Sequence, residues 1–403
     1  MDGGQAGNEL TTQRKLRWIA LLYFAEGFPF GIVLDNLPLY LRTQGVPLGE
    51  IGLMSLLRAP WSAKVLWAPL VDRYFERRQW ITAALTVMGV ALMVVPWLPP
   101  MPVGLLLTGV LLVFTTMAAT QDVAIDAYTI ELVAPGEEGM ANGVRVSAYR
   151  AALIVAGGML VAVVRFAGWH GTFTTAGLIL FGLALATRAL PTVNRRPQAF
   201  RDWWRVFSAW LGRPGAPALF AFVLTYKLGD ATIGPMVKPF WVDRGLTLEE
   251  IALVSTTIGV GASVVGSIVG GIFTSRRGIF TSLWVLGLVH ASANLCYATA
   301  AWLDVGRPGI YAASLAESFT GGLGTAAFLS FLMNICEKEQ AATQYALLSA
   351  LFSLSGALAG SLSGHGVERL GYGNYFALTF VAALPCYALL PWVRGWIRER
   401  ATT

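Results

Sequence analysis

The sequence predicts an all-α membrane protein in which twelve transmembrane helices form two pseudo-symmetric six-helix halves. The residues are 55% hydrophobic and only 13% charged, whereas soluble domains carry about 25% charged residues. Apolar runs of membrane length recur along the whole chain, and parts of the first half recur in the second. This composition excludes a soluble enzyme, a nucleic-acid-binding module and a disordered regulator.

The spans follow from the length of the apolar runs, because a bilayer core about 30 Å thick requires roughly 20 residues of helix. In the first half we predict spans at 17–41, 51–71, 80–98, 102–131, 140–165 and 169–191. In the second half we predict spans at 217–242, 250–274, 279–303, 308–335, 341–365 and 372–393. The predicted halves are therefore 1–191 and 217–403.

The segment 192–216 is the one clear change of composition along the chain, with five arginines and three tryptophans. Apolar and basic residues alternate at helical spacing from Phe200 to Leu211. Such a pattern is typical of a helix that lies in the membrane interface. We therefore predict a cytoplasmic linker with an interfacial helix between the halves.

Lysine and arginine predict the orientation of the chain. The tails and the even-numbered loops together hold about four times as many lysines and arginines as the outer loops. Such an excess marks the cytoplasmic side. Both termini are therefore predicted to be cytoplasmic. The same bias accounts for the net charge of +6, so we expect a lipid bilayer rather than nucleic acid as the surrounding partner.

An internal repeat relates the two halves. The segment LRTQGVPLGEIGLMS at 41–55 aligns with WVDRGLTLEEIALVS at 241–255, so that Gly45 matches Gly245 and Glu50 matches Glu250. Two repeats of six spans are typical of secondary transporters, in which the solute path lies between the halves. The sequence therefore predicts a transporter of a small molecule.

Ionisable residues inside the predicted spans concentrate on spans 1, 2, 4, 5, 7 and 10, and span 9 has only His290. A charge inside the bilayer is costly, so each such residue should face a cavity or a partner. We therefore expect these six spans to surround the solute path. The residues are Glu26, Asp35, Arg58, Lys64, Asp122, Asp126, Glu131, Arg145, Arg150, Lys227, Asp230, Lys238 and Glu317.

Three carboxylates are candidates for proton coupling. Asp122 and Asp126 are four residues apart and lie on one face of a helix, and two carboxyl groups in a dry site can share one proton near neutral pH. Glu26 on the first span is the third candidate. The alternative is a set of permanent ion pairs with neighbours such as Lys64 or Arg150 that stabilise the first half.

Candidate substrate-binding residues come from the same spans. The guanidinium group of Arg150 suits bidentate binding of a carboxylate or phosphate. Lys227 and Asp230 are three residues apart and could instead pair with each other, whereas Lys238 is expected to snorkel at the outer mouth. The full predicted set is Tyr23, Lys64, Gln121, Tyr149, Arg150, Lys227, Asp230 and Glu317.

A third group is predicted to gate the inner side. Asp72 and Arg73 lie in the loop between spans 2 and 3, and ion pairs between such a loop and the helix ends could break in one state. Glu131 is the expected partner of this loop, and also of Arg145. Arg77 and Arg78 in the same loop are expected to be solvated positive-inside residues.

No enzyme or metal site is predicted. The three cysteines lack a CxxC spacing and the three histidines lack an HExxH motif, so neither residue type indicates a metal site. The sequence also contains no GxSxG and no GxxxxGK[ST] motif. We expect no cofactor.

Five motifs carry a resemblance to a known family. They are YFAEGFPFG at 23–31, KVLWAPLVDRY at 64–74, ATQDVAIDAYTIELV at 119–133, YRAALIVAGG at 149–158 and GWHGTF at 168–173. Together they resemble the AmpG-type permeases of the major facilitator superfamily. The most discriminating part, QDxxxDA, corresponds to Gln121, Asp122, Asp126 and Ala127.

This resemblance implies a major facilitator fold and proton-coupled import across the bacterial inner membrane. For the muropeptide permeases of the family, the imported solutes are N-acetylglucosaminyl-1,6-anhydro-N-acetylmuramyl peptides. Other relatives import ferric siderophores or transport acetyl-CoA, and both remain alternatives. The proton gradient would be the energy source, and we expect a monomer.

Overall fold

The computed structural model describes residues 11–133, 137–191, 212–336 and 341–397, and their regular secondary structure is helical. Eight helical runs are long and apolar enough to cross a membrane, judged by length and composition. One of these runs covers two predicted spans, and three further predicted spans form interrupted or shorter helices. Within the described residues the twelve predicted spans are thus all helical, and the predicted fold class is confirmed.

The spans of the first half are labelled α1 to α6 in chain order. They are α1 (Thr12–Thr43), α2 (48–73), α3 (Arg77–Trp97), α4 (Leu105–Leu132), α5 (138–167) and α6 (169–187). α2 consists of short helical pieces, one of which begins with Pro60 in its first turn. A proline there lacks a hydrogen-bond donor and so interrupts a longer helix.

The spans of the second half are labelled α7 to α12. They are α7 (Ala216–Thr225 and Leu228–Asp243), α8 (Leu248–Arg277), α9 (Ile279–Leu303), α10 (Gly306–Ile335), α11 (341–370) and α12 (372–396). The interfacial helix predicted from Phe200 to Leu211 lies outside the described residues, so the linker at 192–216 stays a prediction.

Glycines with positive φ make the matching turns of the two halves. Gly45 and Gly245 have φ of 81° and 71° between the first and second helix of each half, as the repeat predicts. Gly168 and Gly371 have φ of 62° and 73° and separate the fifth from the sixth helix. Residues with a Cβ rarely adopt this conformation, so glycine is required at these turns.

The repeated glutamates also make equivalent contacts. Glu50 accepts a hydrogen bond from the backbone N–H of Val103 at 3.0 Å, just before α4. Glu250 accepts one from the hydroxyl group of Tyr311 at 2.5 Å, in the first turns of α10. In each half, the start of the second helix is therefore tied to the start of the fourth.

The two halves pack together mainly at one end of the bundle. We call this the outer end, where α1 meets α2, and the opposite end, where α1 begins, the inner end; these names follow the predicted orientation. One buried apolar cluster runs from the first half into Met236, Trp241 and Tyr297 of the second. A separate cluster around Phe222 and Phe331 fills the inner part of the second half. The cleft between the halves is therefore closed at the outer end.

Candidate functional site

The first half holds a compact group of ionisable side chains that we call the N-half cluster: Tyr23 and Glu26 of α1, Lys64 of α2, Asp122 and Asp126 of α4, and Arg145 of α5. Sequence analysis selected every one of them, and the fold brings them together from four helices. α1 packs against both α4 and α5, which is why residues 120 positions apart can meet.

Two ion pairs organise the N-half cluster. The ammonium group of Lys64 pairs with Asp122, and the guanidinium group of Arg145 lies 3.1 Å from the Asp126 carboxylate. Tyr23 donates a hydrogen bond of 2.8 Å to the same Asp126 oxygen, and the Arg145 guanidinium lies 4.5 Å from the centre of the Tyr23 ring. Each aspartate is thus matched with one cation.

Glu26 is the unmatched carboxyl group of this cluster. Among the described residues it has no ion-pair partner, and its buried Oε2 has no hydrogen-bond partner. Its carboxyl group lies within hydrogen-bonding reach of that of Asp122. Nearby, both side-chain polar atoms of Gln121 are buried without a partner in the described part of the chain, so this predicted binding residue has free hydrogen-bonding capacity.

Two predictions about arginines of the first half are wrong. Arg145 was expected to pair with Glu131, but it extends to Asp126, because α5 packs along α1 and places Arg145 over Tyr23. Arg77 was expected to be solvated, but it is buried and lies 3.5 Å from Glu131. Both side chains are buried, with exposed side-chain fractions of 4% and 3%.

The predicted gating residues of the loop do not meet Glu131 within the described contacts. Arg73 is exposed, and its guanidinium group stacks 5.8 Å from the ring centre of Tyr74. The Asp72 side chain lies outside the described residues. The pair between Arg77 and Glu131 joins α3 to α4 inside one half, so gating by this group stays a prediction.

The second half holds its own group, the C-half cluster: Lys227 and Asp230 of α7, His290 of α9, and Glu317 and Thr320 of α10. Lys227 lies 2.6 Å from Asp230 and 3.3 Å from His290 Nε2, and His290 also pairs with Asp230. His290 Nδ1 lies 3.4 Å from the Thr320 hydroxyl group. The alternative of a pair between Lys227 and Asp230 is therefore realised.

His290 is a site residue that sequence analysis missed. α9 was assigned to the outside of the bundle because His290 was its one ionisable group. The available signal was that a lone polar residue in an apolar span must face a partner. Its partners on α7 are Asp230 and Lys227, which lie 60 and 63 residues earlier in the sequence.

Lys238 corrects another expectation, because it does not snorkel. It is buried and lies 3.1 Å from Asp35 of α1, in the other half. It also donates hydrogen bonds to the hydroxyl groups of Ser255 at 3.0 Å and Thr256 at 2.7 Å on α8. Lys238 therefore links α7 and α8 to the first half near the outer end.

Two arginines near the cleft have no ion-pair partner in the described residues: Arg150 of α5, which was predicted to bind substrate, and Arg58 of α2, which was not. Both interact electrostatically with Tyr149, whose ring centre lies 6.3 Å from that of Phe30. The predicted pairing of Arg150 with an aspartate is not seen among these residues. Both guanidinium groups are free to bind an anion.

The fold and these clusters define a membrane transporter: two six-helix halves, charged groups on facing helices, and a cleft closed at one end. The chain belongs to the Major Facilitator Superfamily, whose family model matches residues 19–360. It is a transporter of this superfamily and not an enzyme.

Curated relatives confirm the resemblance to the AmpG-type permeases. The chain is 29% identical over 391 residues to a protein of Escherichia coli (strain K12) named "Anhydromuropeptide permease", covering 92% of this chain and 78% of that one. It is 27% identical over 398 residues to "Putative transporter AmpG 4" of Rickettsia conorii, covering 92% and 94%. Both alignments cover nearly the whole chain and thus both halves.

A solved structure shares the fold. The bacterial homologue of the human lysosomal transporter Spinster, crystallised in an inward-facing and unoccupied conformation, superposes with a TM-score of 0.77. The match covers 99% of this chain and 100% of that one at 14% identity. At this identity the likeness concerns the fold alone.

Proposed function

We propose that this protein is a proton-coupled importer of anhydromuropeptides in the bacterial inner membrane, with both termini in the cytoplasm. The substrate is supported by the E. coli relative of that name, which aligns along 92% of this chain. The orientation is supported by the excess of lysine and arginine in the tails and even-numbered loops. We propose that one chain, with its own cleft, is the working unit.

Proton coupling is carried by one observation, the surplus carboxyl group of the N-half cluster. Three carboxyl groups face two cations, and Glu26 has no cation partner among the described residues. Two ionised carboxylates repel each other, so the contact between Glu26 and Asp122 is favourable when one of them holds a proton. The cluster can therefore bind and release a single proton without unpairing Lys64 or Arg145.

The closed outer end supports an inward-facing state. Asp126 and Arg145 retain exposed side-chain fractions of 37% and 43%, whereas Lys238 and Asp35 seal the outer part of the cleft. In this state the N-half cluster would exchange protons with the cytoplasm. Rocking of the halves would then open the outer end and expose the same groups to the other side.

Uptake by reconstituted protein tests the function. Proteoliposomes with an imposed inward proton gradient are given labelled anhydromuropeptide, a ferric siderophore or acetyl-CoA, with protein-free liposomes as the control. We expect accumulation of anhydromuropeptide above the equilibrated level, abolished by a protonophore. Accumulation of the ferric chelate or of acetyl-CoA alone would overturn the substrate, and uptake unaffected by the protonophore would overturn the coupling.

A further inference from the structure

A cavity of about 250 Å³ lies between the halves, below the closed outer end. Its walls come from α1 and α2 on one side and from α7 to α10 on the other. Hydroxyl groups of Ser55, Ser255 and Ser314 line it together with apolar side chains. Five acidic or basic side chains also face it: Asp35, Arg58, Asp230, Lys238 and Glu317.

Three of these five charges are already matched. Asp35 pairs with Lys238 across the halves at 3.1 Å, and Asp230 is paired with both Lys227 and His290. Two remain: Arg58 of the first half and Glu317 of the second. Within the described ranges neither has an ion-pair partner, so the cavity presents one free cation and one free carboxyl group on opposite walls.

Arg58 is held in place but not neutralised. Its guanidinium group lies 5.9 Å from the ring centre of Phe30, and its terminal nitrogens approach Gly356 of α11, where a Cβ atom would come within 2.9 Å of them. Its Nε is buried without a hydrogen-bond partner in the described part of the chain. A buried, unpaired guanidinium is costly, and its planar fork suits a carboxylate.

Glu317 has the complementary character. It accepts one hydrogen bond, from the Ser318 hydroxyl group at 3.4 Å, and is otherwise without a donor among the described side chains. The Asp230 carboxylate acts on it electrostatically, as do the ammonium groups of Lys227 and Lys238. Both lysines form their ion pairs with aspartates instead. Two neighbouring carboxyl groups favour a cation between them, and a ligand ammonium group supplies one.

We propose that this cavity binds a zwitterionic part of the transported solute, with its carboxylate on Arg58 and its ammonium group on Glu317. The cavity walls carry three carboxylates and two cations. Lys227, which pairs with Asp230, is a third cation and makes the numbers of positive and negative charges equal. A ligand with both charges leaves that balance unchanged, whereas a purely anionic ligand leaves Glu317 unmatched. This inference rests on the proposed function and names the chemistry by which a peptide-bearing substrate is recognised.

Blocked ligands test the assignment. Binding to purified protein is measured by thermal shift and calorimetry with a diaminopimelate-containing anhydromuropeptide, its side-chain N-acetyl derivative and its carboxamide derivative. Alanyl-alanine, N-acetyl-alanyl-alanine and alanyl-alanine amide form a second series without the sugar. Wild-type protein is expected to bind each blocked ligand roughly 30-fold more weakly, as for removal of one partner of a desolvated charge pair.

The variants assign each charge to its residue. Arg58→Gln is expected to bind the carboxamide derivative as well as the native ligand, and still to bind the N-acetyl derivative more weakly. Glu317→Gln is expected to show the opposite pattern. Arg165→Gln, at an exposed arginine of α5, serves as the control and keeps wild-type behaviour. If one variant no longer distinguishes either derivative from the native ligand, misfolding is indicated, and circular dichroism would reveal it. The comparison is then repeated with Arg58→Lys and Glu317→Asp.

Two outcomes would overturn the inference: equal binding of blocked and native ligands by wild-type protein, or unchanged discrimination in both variants. Failure of the proposed function has a different signature. In that case wild-type protein binds no anhydromuropeptide. The inference is then tested by comparing the binding of alanyl-alanine with that of its two blocked derivatives. Absence of binding in both series would also overturn it.

Discussion

Arg42 of α1 and Asp243 of α7 form a two-point ion pair across the outer end, with N–O distances of 2.6 and 2.7 Å. The Tyr372 hydroxyl group donates a third hydrogen bond to Asp243 at 2.7 Å. The pair joins the last turn of α1 to the last turn of α7, which are the equivalent first helices of the two halves. It therefore breaks whenever the outer end opens.

Asp243→Asn is expected to favour opening of the outer end. Exposed ion pairs contribute about 1 kcal/mol at most, so the population of the outer-open state should rise by about fivefold or less. Distances between spin labels at Gln44 and Glu249, measured by double electron–electron resonance, report this population. Arg244→Gln removes an arginine–aspartate pair at the same end but within one half, and it should leave the distances unchanged. A similar shift in both variants would contradict the gating role of Asp243.

Glu26→Gln is expected to uncouple transport from the proton gradient. The amide cannot release a proton, but it preserves the size of the side chain, so solute exchange across the membrane should continue without accumulation above the equilibrated level. Uptake and counterflow assays in proteoliposomes measure the two activities separately. Glu249→Gln, at an exposed carboxylate, should retain both. Gradient-driven accumulation in Glu26→Gln would exclude Glu26 as the coupling residue.

Lys64→Gln is expected to destabilise the first half. It leaves Asp122 buried without its cation, which costs about 2–3 kcal/mol for a hydrogen-bonded charge. The double variant Lys64→Gln with Asp122→Asn should recover part of that loss, because neither partner is then charged. Thermal melting of the detergent-solubilised protein gives both values. Additive losses in the double variant would show that the pair contributes no coupling energy.

Gly364→Ala is expected to weaken the closed outer end. Gly364 of α11 lies against the backbone of Leu48 and Gly49 on α2, so that a Cβ atom has no room there. Overpacking of this kind costs about 1–3 kcal/mol, and it destabilises only the state in which α2 and α11 touch. The labels at Gln44 and Glu249 should then report more of the outer-open state. Gly261→Ala, on α8 with open space around it, is the control and should behave like the wild type.

The fold was predictable from local sequence because a bilayer imposes one length and one polarity on every span. The turns at Gly45 and Gly245 were predictable as well, since the repeat aligned them and glycine is the residue that adopts their backbone conformation most readily. The interruption of α2 and α7 was not predicted. Apolar content is the same for a straight helix and a broken one and so did not reveal the breaks, although Pro60 lies at one of them.

The members of the N-half cluster other than Tyr23 were predictable because each is a charged residue inside an apolar span. Their partners were not, because helical spacing gives the face of a residue and not the neighbour that faces it. Arg145 therefore reaches Asp126 and not Glu131, and Lys238 pairs with Asp35 instead of snorkelling. The interactions of His290 and Arg58 required the positions of α7 and α11.

The sequence by itself determined a twelve-span superfamily member with charged groups on the helices of the solute path. Hydrophobicity and charge are properties of single residues, and the bilayer sorts them without reference to tertiary contacts. Only the tertiary structure decided which charges are matched and which are free. That difference depends on distances of a few ångströms between helices far apart in sequence, and it singles out Glu26, Arg58 and Glu317.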